Sequence, residues 1–115
     1  MARGGILKVD LPAPSGRVGH EQVGHRPAIV VQTDATDASL PTTMIVPVTS
    51  NLSALRFSHT FRVDPSPQNG LTRPSVLLVF QLRAIDKRRL GNSIGRLEQR
   101  HLQQLETEMR RLLGL

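Results

Sequence analysis

Ala28-Ile29-Val30-Val31-Gln32-Thr33 is the stretch whose reading decides the fold. Four apolar residues in succession, three of them β-branched, fit a strand buried on both faces rather than one with a wet side. Two similar runs lie downstream. Thr43-Met44-Ile45-Val46-Pro47-Val48-Thr49 reads as a strand in which Pro47 implies an edge or a bulge, and Ser75-Val76-Leu77-Leu78-Val79-Phe80-Gln81 reads as another strong strand. Upstream, residues 6–11 form a short, largely alternating strand.

Weaker elements fill the intervals. Residues 12–24 are a loop rich in Pro, Gly and Ser, and residues 34–41 a loop or short turn. Residues 52–58 connect to a short strand at 60–63, and Asn69-Gly70 closes a turn-rich segment. Residues 83–89 suggest a short helical turn and residues 94–97 a last short strand. Residues 98–113 predict a helix. Leu102, Leu105, Met109 and Leu112 make one apolar stripe, Glu98 stands in the first turn, Arg110 and Arg111 in the last, and Gly114 marks the stop. Many short strands followed by one helix imply a small, strongly curved antiparallel barrel or sheet with a helix packed on it. At 115 residues the chain is expected to be a single domain, 1–115.

Composition narrows the function. No apolar run approaches a membrane span, the N-terminus lacks a signal-peptide core, and the expected compartment is the cytoplasm. Without Cys, thiolate zinc sites and cysteine nucleophiles are excluded. Lys and Arg number 15 against 9 acidic residues, a net charge of +6, and all but Lys8 and Lys87 of the cations are Arg. Arginine forks hold phosphate oxygens bidentately, so the expected partner is polyanionic, nucleic acid first; a solubilising surface is the plainer alternative. Aromatics make up only 3% of the chain, which argues against a base-stacking platform of the RRM or OB type.

Few constellations carry chemistry. Asp34 and Asp37 form a weak metal candidate, since Asp also belongs in turns. His20, Glu21 and His25 invite an acid–base reading beside the plainer one of exposed loop residues. Arg26 stands with Pro27 at the mouth of a buried strand, placed to clamp a phosphate and stabilise charge developing on it. Thr49 and Ser50 end the next strand, and Gln81 and Arg83 the third, so polar side chains at three strand ends can converge on one pocket.

These residues carry a resemblance. Gly19-His20-Glu21-Gln22-Val23-Gly24-His25-Arg26-Pro27, then Pro47-Val48-Thr49-Ser50-Asn51, then Phe80-Gln81-Leu82-Arg83-Ala84-Ile85-Asp86-Lys87-Arg88-Arg89-Leu90 resemble the MazF/PemK toxin family over nearly the whole chain. The resemblance implies an SH3-like small barrel with a C-terminal helix, working as a homodimer. It implies a cytoplasmic endoribonuclease that cuts single-stranded RNA at specific sequences, needs no metal or other cofactor, and is restrained by a cognate acidic antitoxin. Carried over residue by residue, it makes Arg26 and Thr49 the catalytic pair with Glu21 beside them, and assigns substrate contacts to Gln22 and Gln81. His25, Ser50 and Arg83 complete the expected substrate-binding set. Leu7 and Lys8 stand where the family often has aromatics, and Phe80 where it usually has an acidic residue, so these positions are expected to alter base preference. Two other functions remain on this reading: a gyrase-poisoning toxin of the same fold, and a nucleic-acid-binding module without catalysis.

Overall fold

The computed structural model describes residues 3–11 and 24–115. Strands β1 (Gly5–Leu11), β2 (Gly24–Val30), β3 (Thr42–Thr49), β4 (Thr60–Val63), β5 (Ser75–Leu78), β6 (Arg83–Asp86) and β7 (Leu90–Arg96) join in one antiparallel sheet of order β4-β5-β3-β2-β1-β7, with β6 also on β3. Helix α2 (Gln99–Leu113) closes the chain, and α1 (Asp34–Asp37) is a single turn. The mainly-β architecture with a C-terminal helix is the one expected. No helix among the described residues is long and apolar enough to cross a membrane.

β3 organises the sheet. One edge pairs with β2 from Ile45 to Pro47; the other pairs first with β6 (Thr42 to Ile45) and then with β5 (Val48 and Thr49). Pro47 therefore lies in a central strand, not at an edge. It is tolerated because it falls between the β6 and β5 ladders, where β3 changes partners and that edge needs no donor from residue 47.

The run at 28–31 is buried on both faces, as its composition requires. Ile29 and Val31 join Ile6, Val46, Val48, Phe61, Leu77 and Leu97 in the larger core, while Ala28 and Val30 join Leu7, Val9, Leu11, Ile45 and Ile85 in a second. α2 seals the larger core with Leu102 and Leu105, flanked by Met109 and Leu112. Each buried leucine contributes roughly 1.5–3 kcal/mol. Glu98 is the residue before the helix, and Gly114 ends it in the left-handed region at φ 71°, its N–H donating to the Arg110 carbonyl.

Four elements differ from their sequence reading. β2 runs over 24–30 rather than 28–33, because Asp10 and Leu11 pair with His25 and Gly24 and draw the loop's end into the sheet. β5 stops at Leu78, and residues 79–81 form a 3₁₀ turn closed by the Leu82 N–H on the Val79 carbonyl. Residues 83–86 are strand, not helix: they pair with Thr42 to Ile45 and bury Ile85, and the 3₁₀ turn is confined to 87–89. β7 spans Leu90–Arg96 rather than 94–97, its polar start held against β1.

Candidate nucleic-acid interface

Two clefts flank the end of β3. Strand alternation sends Val48 and Ser50 into one and Thr49 and Asn51 into the other.

The first cleft holds about 390 Å³. β1 contributes Lys8, β2 contributes His25, Arg26 and Pro27, and the segment entering β5 contributes Thr72, Arg73 and Ser75. Lys8 is the exposed residue between buried Leu7 and Val9, and it stands opposite Pro27 across the β1–β2 ladder. Gly91 of β7 lets the strands close here, since a Cβ at that position would come within 2.9 Å of the Lys8 carbonyl oxygen. Buried Ser75 donates from its Oγ to the Arg73 carbonyl at 2.8 Å and fixes the backbone that carries Arg73. Three cations, Lys8, Arg26 and Arg73, thus share a cleft whose described lining includes no carboxylate. Such a cleft attracts polyanions and holds phosphate oxygens.

The second cleft is smaller, about 100 Å³, and its walls are held by a chain of polar bonds. Thr49 is 7% exposed, and its Oγ1 accepts the Asn51 N–H at 3.2 Å. A hydroxyl that accepts keeps its own proton to donate. Asn51 Oδ1 accepts from the Ser53 N–H at 3.1 Å and from Ser53 Oγ at 2.7 Å. Arg56 Nη1 donates to the Ser53 carbonyl and Oγ, both at 3.2 Å, and its guanidinium lies 4.4 Å over the Phe57 ring. Phe80 and Gln81 complete the wall from the turn after β5.

The expected residues therefore fall into groups. His25, Arg26 and Ser50 line the first cleft; Thr49 and Gln81 line the second. Arg26 and Thr49 nevertheless hold matching positions, each two residues beyond the last β2–β3 pair, Ala28↔Pro47. By strand alternation both fall on the face of the Ala28↔Pro47 pair, although they line different clefts. Arg83 lies on β6 opposite Ile45 and lines neither cleft. Glu21 and Gln22, with His20, lie outside the described residues. Leu7 is buried in the second core, 7% exposed, so of the pair Leu7–Lys8 only Lys8 lines the first cleft.

Sequence reasoning missed Arg73, although Arg73-Pro74 repeats at the mouth of β5 the Arg26-Pro27 pair of β2. It also missed Asn51 and Arg56, whose place depends on how the 3₁₀ turn at Leu52–Arg56 folds back. Among the described residues, no group of three or more His, Asp or Glu comes together to hold a metal ion.

A profile of the PemK-like, MazF-like toxins of type II toxin–antitoxin systems matches residues 2–113. The chain belongs to this PemK/MazF family. The endoribonuclease EndoA of Bacillus subtilis is 31% identical over 113 residues, covering 98% of this chain and 94% of that protein. The endoribonuclease MazF of Staphylococcus saprophyticus is 28% identical over 115 residues, covering 100% of this chain and 92% of that one. In three dimensions, MazF of Deinococcus radiodurans superposes with a TM-score of 0.78 at 24% identity, covering 100% of this chain and 97% of that one. A mycobacterial endoribonuclease in complex with its cognate antitoxin superposes at 0.75 with 19% identity, covering 100% and 96%. The PemK/MazF fold therefore spans the described chain, and both clefts lie on it.

Proposed function

We propose that this toxin is an endoribonuclease that cuts single-stranded RNA at specific sequences, without a metal, by attack of the RNA's own 2′-hydroxyl on the adjacent phosphate. The observation that carries the reading is the cationic cleft of Lys8, Arg26 and Arg73 lying beside Thr49 at the end of β3. The endoribonuclease relatives support it.

The reaction requires in-line placement of the 2′-hydroxyl, removal of its proton, stabilisation of charge on the phosphorane and protonation of the leaving 5′-oxygen. Arg26 forks onto two phosphoryl oxygens and stabilises that charge. An arginine is too basic to accept the proton at neutral pH, so Glu21 and His25 are the groups assigned to proton transfer. Thr49 donates its hydroxyl hydrogen bond to the leaving oxygen or a phosphoryl oxygen. Gln22, Ser50, Gln81 and Arg83 hold the flanking nucleotides. The products are a 2′,3′-cyclic phosphate and a 5′-hydroxyl.

The same reading gives the partners. Two copies of this chain extend the groove along an RNA strand, and an acidic antitoxin segment occupies the cationic cleft by charge complementarity. The deciding experiment incubates the purified protein with a long single-stranded transcript in EDTA. Cleavage that stops when a 2′-deoxy nucleotide replaces the one at the cut is expected. A 5′-phosphate product, or activity only after Mg²⁺ is added, overturns the mechanism.

A further inference from the structure

The chain has three phenylalanines. Phe61 is buried in the larger core, but Phe57 and Phe80 meet in the wall of the second cleft, half-exposed, with ring centroids 5.3 Å apart and planes tilted by 53°. Arg56, itself exposed, spreads its guanidinium on Phe57 and is tied down through Ser53 to Asn51. Low aromatic content argued against base stacking; the fold instead gathers two of three rings at one place, next to Thr49.

From this arrangement we propose that Arg56, Phe57 and Phe80 form a stacking subsite for one unpaired base of the RNA, the base of a nucleotide adjoining the phosphate handled at Thr49. The proposal rests on the endoribonuclease reading above for the position of that phosphate. Unpaired bases stack on aromatic rings and on arginine planes. An arginine already laid on a ring and hydrogen-bonded at its edge offers such a plane with little ordering left to do on binding. Thr49, Asn51 and Gln81 line the same small cleft and place hydrogen-bonding side chains beside the rings, within reach of a base edge. The subsite thus sets which base is accepted at one position beside the cut, while the cationic cleft holds the backbone.

The test uses two variants: Phe80→Leu, which keeps an apolar side chain against the small core of Ala54, Val76 and Leu78, and the exposed Arg56→Gln. Folding is checked by thermal melting. Single-stranded 2′-fluoro RNA oligomers, inert to 2′-hydroxyl attack, carry 2-aminopurine at successive positions. The wild type is expected to quench emission at one position. Both variants are expected to lose that quenching and to weaken binding about tenfold, the scale of one lost base stack. Mapped on a long transcript, both are expected to relax the base preference at a single position beside the cut. Unchanged quenching and an unchanged cut pattern in both folded variants overturn the subsite. A wild type that quenches but cuts no RNA leaves the subsite standing and overturns the endoribonuclease reading; one that cuts without quenching at any position does the reverse.

Discussion

Asn69 Nδ2 donates to Glu98 Oε1 at 3.1 Å and ties the turn before β5 to the start of α2. Asn69 is fully buried, and its Oδ1 also accepts the N–H groups of Ser66 and Leu71 while Nδ2 reaches the Asp64 carbonyl. Asn69→Ala strands several of these groups without partners. Each buried, unpaired group costs about 1–3 kcal/mol, so a total near 3 kcal/mol is expected. Urea unfolding monitored by circular dichroism measures it; a loss below 1 kcal/mol contradicts this role.

The same contact makes stability depend on acid pH. Burial raises the Glu98 pKa, but its own backbone N–H, Asn69 and Ser66 hydrogen bonds, with His101 nearby, outweigh burial and hold it below its ordinary 4.5. A depressed folded-state value means the unfolded chain binds the proton more readily. The contribution is complete above about pH 4.5 and is lost as pH falls through the lower folded value. Asp86, held to about 2 by hydrogen bonds from Arg88, follows the same sign at lower pH, but it is partly exposed and its partner Arg88 is in solvent, so it contributes little. Melting temperatures from pH 7 to 3 should fall less steeply in Glu98→Gln than in the wild type.

Two glycines have the least space of all for a side chain. At Gly70, φ is 69° and a Cβ would lie 1.8 Å from the Ile94 carbonyl oxygen; at Gly95 it would lie 2.4 Å from the Asn69 carbonyl. Gly70→Ala and Gly95→Ala each force the Asn69–Gly70 turn off β7 and are expected to cost more than about 3 kcal/mol. Gly114→Ala has φ 71° but nothing within 4 Å, so about 1 kcal/mol is expected. Thermal melting of the three variants side by side tests the ordering.

Charge in the first cleft should be readable from salt. If Lys8 and Arg73 contact phosphates, Lys8→Ala and Arg73→Ala each lower the slope of log affinity against log salt by about 0.7 for a single strand. Fluorescence anisotropy with an uncleavable RNA between 50 and 200 mM salt — roughly the range over which counterion release dominates — gives the slopes. Unchanged slopes place the strand elsewhere.

Loss of chemistry should be distinct from loss of binding. Arg26→Ala and Thr49→Ala are each expected to lower the cleavage rate by about 10²-fold or more. Rapid-quench cleavage at saturating RNA separates the two effects. A rate within threefold of the wild type for either variant removes that residue from the reaction.

Periodicity made the frame legible. The stripe of Leu102, Leu105, Met109 and Leu112 announces α2, and four apolar residues at 28–31 announce a strand with two buried faces. β6 was not legible, because Arg83-Ala84-Ile85-Asp86 is too short to show a period and becomes strand only through its pairing with β3. Family likeness put Arg26 and Thr49 in one pair, and the β2–β3 register gives them matching positions; the exchange of β6 for β5 beside Pro47, which no local pattern encodes, builds the second cleft around Thr49. Phe80 on the edge of a strand reads as core; its meeting with Phe57 is a product of tertiary folding.

The first cleft draws its lining from Lys8 near one end of the chain and Ile94 near the other. It is therefore absent from any nascent chain whose β7 has not yet left the ribosome, since the wall that includes Ile94 is then missing. A product terminated before β7 would carry Arg26 and Thr49 but not the enclosed cleft, which places assembly of the site after synthesis of that strand.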